Sequence, residues 1–284
     1  MNKYTIEQFN KLFPNEDACL DWLRYKLYPQ KIYCIKCKRP TRFYRIKNRK
    51  VYGCDLCGHQ ISPTANTIFD HSPTPLKSWF YAIYLMSTTR CGISAKQLQR
   101  ELAVTYKTAW RMFHQIRSLL QDDSEPTFGE FEIDETYIGG PKPGKRGRGA
   151  EGKSTVLGIA QRKGDISATV TPDLKSATLY HIIKEHVIPD SMVYTDEYRI
   201  YDRLKGHGYN HKRVYHSSKM WTLADAHTNT IEGFWSLLKR GINAVYHAVS
   251  QKHLQNYINE YSFRYNHRQD ETPMFLTMIN EISR

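Results

Sequence analysis

The chain has 284 residues, with 41 Lys and Arg against 28 Asp and Glu, a formal net charge of +13. At 40% hydrophobic and 13% aromatic it is too apolar to be disordered, and it is long enough for two or three cores. No run of 18 apolar residues marks a membrane span and Met1 to Phe13 lacks an apolar signal segment, so the expectation is a soluble, cytoplasmic protein with no membrane partner.

The charge suggests a polyanion, nucleic acid first, although solubility alone also explains it. It is unevenly spread. Residues 1–127 hold 20 basic and 10 acidic residues, and residues 128–284 hold 21 and 18. Lys31 to Lys50 contains nine basic residues and no acidic one. The polyanion footprint therefore falls mainly in the first half.

The elements divide the chain into an N-terminal helical segment (1–28), a zinc ribbon (29–70), a helix-turn-helix segment (75–121) and a C-terminal domain (128–284). In the ribbon, Cys34-x2-Cys37 and Cys54-x2-Cys57 have the spacing of a four-thiolate Zn²⁺ site, with Gly58 where a tight turn favours glycine. Paired disulfides are the alternative, disfavoured in a cytosolic chain. Thr41 to Tyr52 reads as short strands. His59 is surplus to the site and reads as a surface residue. Cys19 and Cys91 lie alone and read as buried thiols. So small a ribbon depends on its metal for much of its folding free energy.

From Pro75 the period becomes helical. Leu76, Trp79, Phe80, Ile83 and Tyr84 share one face, and Cys91-Gly92 ends the pattern. Ser94, with Gln97 three residues on, caps a second helix, and Thr105 caps a third. The last two form a helix-turn-helix, with Tyr106, Lys107, Thr108 and Arg111 facing DNA from the start of the recognition helix. A plain three-helix unit with a solvated basic face is the alternative. Gln121 to Thr127 is a polar linker.

Phe128 to Ile138 reads as a strand with Phe131 and Ile133 on one face and Asp134 on the other. Gly139 to Gly152, with Lys142, Lys145, Arg146 and Arg148, is a basic loop near phosphates or a merely solvated one. Val156–Gln161 and Ile166–Val170 form a hairpin, Ser176 caps a helix that ends at Pro189, and Ser191–Thr195 is a strand followed by Asp196. Arg213–Tyr215 is a possible fifth strand. Helices cover about Asn229–Ile242 and, capped by Ser250, Lys252–Asn266.

This order fits an α/β sheet that brings Asp134 and Asp196 together at neighbouring strand ends. Such carboxylates bind protons or a hard cation, Mg²⁺ or Mn²⁺. Two ions ~4 Å apart are the usual machinery for displacement at a phosphodiester. On the next helix, Asn229, Glu232, Ser236 and Lys239 form a polar stripe opposite Ile231, Phe234, Trp235, Leu238 and Ile242. Glu232 is the candidate third ligand. A capping box from Asn229 to Glu232 explains both residues with no chemistry.

The ribbon, the strand Ile133-Asp134-Glu135-Thr136-Tyr137-Ile138-Gly139-Gly140, the stretch from His227 to Gly241 and the later Phe263-Arg264-Tyr265-Asn266 resemble bacterial insertion-sequence transposases with an N-terminal zinc ribbon. The resemblance covers nearly the whole chain. It implies an RNase H-like catalytic domain of the acidic-triad (DDE) type and Mg²⁺-dependent cleavage and strand transfer at terminal inverted repeats by a homo-oligomer. Carried over, Asp134 and Asp196 are the first two acidic ligands. Glu232, followed by Lys239 in a Glu-x6-Lys pattern, is the third, with Asn229 beside it because some members use Asn there. Lys239 and Arg240 would hold DNA backbone, or simply suit the helix dipole. His227 reads as a surface residue. Two other classes stay open: a zinc-ribbon and helix-turn-helix regulator without activity, and a nuclease that cuts without joining.

Overall fold

A computed structural model describes residues 4–28, 31–89, 91–122, 124–139, 152–214 and 228–283. They fall into two units, residues 1–119 with 270–284, and residues 120–269. The basic loop residues Lys142, Lys145, Arg146 and Arg148, and also Tyr215 and His227, lie outside the described residues.

In the first unit, α1 (Ile6–Leu12) opens with a reciprocal Thr5–Gln8 capping box, and α2 (Glu16–Leu27) follows with Asn15 as its cap. The ribbon contains a hairpin of β1 (Ile32–Cys34) and β2 (Arg39–Thr41), then an antiparallel sheet of β3 (Phe43–Arg45), β4 (Tyr52–Cys54) and β5 (Gln60–Ile61). Of the large apolar side chains in its strands, Ile32, Phe43 and Tyr52 are buried. It leans on α2 through polar contacts: Arg45 with Asp17 at 2.9 Å, Lys50 with Glu16 at 3.2 Å, and the Tyr52 hydroxyl on Asp21.

Three helices follow: α3 (Leu76–Thr88), α4 (Ala95–Leu102) and α5 (Tyr106–Ser118). Ser94 and Thr105 cap α4 and α5 through their side chains, as their sequences predict. Cys19 is buried, and that burial pushes its thiol up to about 12. Cys91 corrects the expectation of a buried thiol, because it sits exposed in the turn between α3 and α4. A second difference is larger. The last helix, Met274–Asn280, read from the sequence as part of the second domain, packs in the first unit. Its Phe275 ring lies 4.9 Å from Tyr4, 5.7 Å from Phe9 and 6.1 Å from Phe13, closing an aromatic core that those residues cannot fill alone.

The second unit is built on a five-stranded sheet. Antiparallel β6 (Glu130–Ile138), β7 (Ser154–Gln161) and β8 (Ile166–Thr171) are followed by α6 (Ser176–His186), then by β9 (Met192–Thr195) and β10 (Asn210–Arg213). The last two strands run parallel to β6 in the spatial order β10-β9-β6-β7-β8. This is an α/β fold of RNase H-like order. Two local expectations shift. Ser176 is the first helical residue of α6, with Lys175 in the cap position. The fifth strand starts at Asn210, because Gly208 (φ +87°) ends the preceding turn and the Asn210 N–H pairs with Ser191.

Phe131, Ile133, Leu157 and Ile159 pack on the side of α6 with Leu179 and Ile183. Val156, Ala160, Ile166 and Ala168 pack on α7 (Asn229–Gly241) and α8 (Gln251–Asn266) through Ile231, Phe234, Leu238, Leu254 and Ile258. Amides of α8 cover the outer edge of β8. Gln255 accepts from the Val170 N–H and donates to the Ala168 carbonyl, and Asn266 does both at Ile166. An edge strand is thereby closed to further pairing.

Gly158, opposite Asp134 in the β6–β7 register, has no room for a side chain. A Cβ there would come within 2.5 Å of the Trp235 ring and 2.6 Å of Ile231. Gly158→Ala should therefore destabilise the second unit by about 1–3 kcal/mol, the usual range for overpacking, read as a lower urea midpoint with an unchanged slope.

Candidate active site

The site is organised by alternation along β6. Even-numbered residues from Glu132 to Thr136 face α7, and odd-numbered residues from Phe131 to Glu135 face the other layer. Asp134 is half-buried and accepts a 2.9 Å hydrogen bond from the indole N–H of Trp235. Its carboxyl is pushed up to about 7 by burial, by the charge of Glu135 and by that of Asp196, against the lowering effect of the Trp235 bond. Ile133 and Thr195 are paired in the parallel β6–β9 ladder, so Asp134 and Asp196 are the next residues along two adjacent strands, about 4.8 Å apart in strand spacing.

The segment after β9 is tied back to β6. The Tyr198 N–H donates to Asp196 at 2.9 Å, and the Tyr201 hydroxyl donates to the buried Glu135 at 2.9 Å. Burial and the Glu135 charge raise the Tyr201 hydroxyl well above its ordinary value, so it stays a donor. Behind Asp196, the Thr195 hydroxyl donates to the Asp196 carbonyl and meets the ring of buried His211 at 2.9 Å.

The predicted polar stripe of α7 is present. Asn229, Glu232, Ser236 and Lys239 are exposed, whereas Ile231, Phe234, Trp235, Leu238 and Ile242 are buried. The capping-box alternative is corrected. Asn229 lies inside the helix, Thr228 is the cap residue, and Glu232 accepts from the Thr228 hydroxyl at 2.8 Å. The cap comes from 98 residues away. Glu132, fully buried on β6, accepts from the Thr230 N–H at 2.8 Å, the Thr230 hydroxyl at 3.0 Å, the Ile231 N–H at 3.2 Å and Arg162 at 3.3 Å. Sequence reasoning missed Glu132 and the polar use of Trp235. One available signal was a carboxylate two residues from Asp134, on the same strand face.

Among the described residues, the four cysteines are the one group of three or more His, Cys, Asp or Glu whose ligand atoms all lie within 4.8 Å of one another. Asp134, Asp196 and Glu232 are thus not collapsed together. For the cysteines the fit to Zn²⁺ is close. Cys34 and Cys57 sulfurs are 3.6 Å apart and those of Cys37 and Cys54 are 3.9 Å apart. Tetrahedral bonds of about 2.3 Å place sulfurs roughly 3.8 Å apart. Burial opposes ionisation of Cys54, but the Thr41 hydroxyl and the Cys57 and Leu56 N–H groups outweigh it and bring the thiol down to about 6.

On α5, Tyr106 and Lys107 are exposed, and the Thr108 hydroxyl is engaged with Thr105 at 3.0 Å. Arg111 differs from the expectation of an outward residue. It bends to Ser72 at 3.3 Å and lies 6.0 Å from the Trp79 ring centre, because a basic side chain on this turn reaches the inner loop. Lys239 and Arg240 are exposed, with Arg240 folded back onto the Ser236 carbonyl at 3.2 Å.

Residues 127–266 match the model of the ISXO2-like transposase domain, and residues 14–60 match the transposase zinc-ribbon domain. A protein of Halobacterium salinarum, described as an uncharacterized protein in transposable element ISH50, is 29% identical over 277 residues. That match covers 89% of this chain and 92% of the relative. An uncharacterized transposase-like protein of Haemophilus influenzae is 37% identical over 103 residues, 36% of this chain and 80% of the relative. Among solved structures, the catalytic core domain of BIV integrase aligns with a TM-score of 0.34 at 11% identity, covering 53% of this chain and 93% of that one. The Mos1 transposase paired-end complex with its left transposon end aligns with a TM-score of 0.31 at 11% identity, covering 75% and 78%.

Two outcomes follow from the geometry. The folded carboxyl of Asp134 titrates at about 7, above its ordinary 3.8, so the native chain keeps a proton that the unfolded chain releases. Stability should fall as pH rises from about 4 through 7. Asp134→Asn should therefore raise Tm at pH 8 by roughly 4 °C or more without added divalent cation, and little at pH 4, in paired melting scans. Second, Cys37→Ser or Cys54→Ser should lose the bound zinc equivalent by metal analysis and open the ribbon to protease, leaving the second unit folded.

Proposed function

On the premise that this chain belongs to the family of ISXO2-like transposases, we propose that it binds the terminal inverted repeats of an insertion sequence and carries out metal-dependent DNA cleavage and strand transfer there. The observation that carries this reading is that Asp134 on β6 and Asp196, directly after β9, continue one parallel ladder, with the Asp134 carboxyl pushed up to about 7 by burial first and then by the charges of Glu135 and Asp196. Two carboxylates held close repel each other, and a hard cation between them relieves that repulsion, which suits Mg²⁺ or Mn²⁺. Bound there, such ions lower the pKa of an attacking water or 3′-hydroxyl and stabilise the leaving oxygen.

The residues then divide the work. Asp134 and Asp196 supply two carboxylates from the sheet. Glu232 supplies the third from α7, with Asn229 beside it on the same exposed stripe, neither of them occupied as the helix cap. Trp235 holds one oxygen of Asp134 and so fixes how its carboxylate is turned. Lys239 and Arg240 face the DNA backbone at the far end of the stripe. In the first unit the zinc ribbon, held by Cys34, Cys37, Cys54 and Cys57, carries seven exposed basic residues: Lys31, Lys36, Lys38, Arg39, Arg42, Lys47 and Arg49. Together with Tyr106, Lys107 and Thr108 of α5 it would locate the element ends, and Arg111 would join them by turning outward. Phosphate contacts of this kind position a protein, and base contacts from α5 would supply sequence preference. A homo-oligomer would hold the two ends for joining to target DNA.

Asp134→Asn and Asp196→Asn should each lower Mg²⁺-dependent nicking of end DNA by about 10³-fold or more, equivalent to roughly 4 kcal/mol at the transition state, with end binding retained in a gel-shift assay. Cleavage that survives both changes would sink the assignment. Joined products separate a transposase from a nuclease. End binding with no metal-dependent nicking by the native chain would identify a regulator.

A further inference from the structure

The cleavage site proposed above needs Glu232 and Asn229 to be held against Asp134, yet they stand on a helix 95 or more residues further along the chain. Two contacts join that helix to β6. The Glu132 carboxylate holds the N–H groups of Thr230 and Ile231, and Asp134 holds the indole of Trp235. Their spacings match. Residues 132 and 134 of a strand are about 6.7 Å apart, and residues 231 and 235 of a helix rise by about 6 Å. The apolar face of α7 packs on the sheet without a direction of its own, and with the two elements running in the same sense this pair of directional contacts sets the register. Glu232 lies between the two contacts, one residue past Ile231 and three before Trp235.

We propose that Glu132 is a positioning residue, which sets the register of α7 on β6 and thereby places Glu232 and Asn229 relative to Asp134 for metal binding. This rests on the metal-site reading above. Glu132 is fully buried, and its donors among the described residues include two backbone N–H groups, the Thr230 hydroxyl and Arg162. Nothing in that arrangement leaves it an oxygen for the ion itself. Among the described residues, the cap residue Thr228 makes no side-chain capping bond, since its hydroxyl is used on Glu232. Arg162 is shared with Glu130 at 3.2 Å and lies 3.8 Å from the Tyr194 ring centre, so it stays in place when Glu132 changes.

The test uses the full chain and three variants. Glu132→Gln removes the charge. Glu132→Asp keeps the charge but falls one methylene short of α7. Thr230→Val removes one donor with no change of charge. Binding of Mn²⁺ is followed by the electron-paramagnetic signal of the free ion, next to Tm and Mg²⁺-dependent nicking of end DNA. Positioning predicts weaker Mn²⁺ binding by about 10- to 100-fold for Glu132→Asp and Glu132→Gln, and by several-fold for Thr230→Val, with nicking partly restored at high metal. A lower Tm with unchanged Mn²⁺ affinity in the folded variants would make Glu132 structural only and overturn the proposal. So would an affinity loss confined to Glu132→Gln, since charge and not position would then be the cause. If Glu132 variants fail to fold, Thr230→Val decides alone. Asp134→Asn runs beside them. If it still binds Mn²⁺ and nicks DNA, the metal-site reading itself fails. If it is inert while Glu132→Asp and Thr230→Val behave as native, only the positioning role fails.

Discussion

A buried carboxylate cannot stay charged without donors, and a helix cannot begin in a buried place without acceptors. Glu132 and the first turn of α7 solve both problems with one set of bonds. The isolated burial of either would cost several kcal/mol. Their union ties the first turn of α7, which carries Glu232, to the strand that carries Asp134, with Trp235 bonded to Asp134 and packed where a side chain at position 158 would stand. The favourable interaction of a negative charge with a helix N-terminus adds to the same bond.

The first unit uses the same device. Glu16 of α2 accepts from the Leu76 and Lys77 N–H groups at 2.8 and 3.0 Å, capping α3, whose own cap position is a proline with no side-chain acceptor. Asp17 and Asp21, on the same helix, hold the ribbon. Acidic residues in this strongly basic chain are thus assembly parts as well as candidate ligands. Glu260, fully buried and bonded to Arg264 at 2.8 Å and to the Tyr246 hydroxyl at 3.2 Å, is a third example. The near-balance of charge in the second half therefore reflects assembly as well as candidate ligands.

What could be read from the sequence was whatever repeats locally. The cysteine spacing, the alternation along β6 and the two stripes of α7 are each set by the period of one element, and each is found where it was expected. What could not be read depends on a partner far along the chain. Glu132 looks like an ordinary strand carboxylate until Thr230 is beside it. Trp235 fits the apolar stripe by period, and only the fold shows that its N–H has an acceptor. Arg111 has a helical position suited to DNA, but a loop 39 residues earlier claims its guanidinium. The last helix has an apolar face suited to any core, and nothing local tells Phe275 to join Phe9 and Phe13.

That return of the last helix has a consequence for how the molecule is made. The second unit is an insertion in the sequence of the first, bounded near residues 119 and 270. During synthesis the complete sheet, with α7 and α8, leaves the ribosome before Phe275 does. The catalytic unit can fold while the chain is still growing, as domains generally do. The aromatic core of the unit that carries the ribbon and helices α3 to α5 has to wait for residues 270–284. The part that would find DNA is finished after the part that would cut it, so a chain truncated before Met274 would release the second unit without a completed first one.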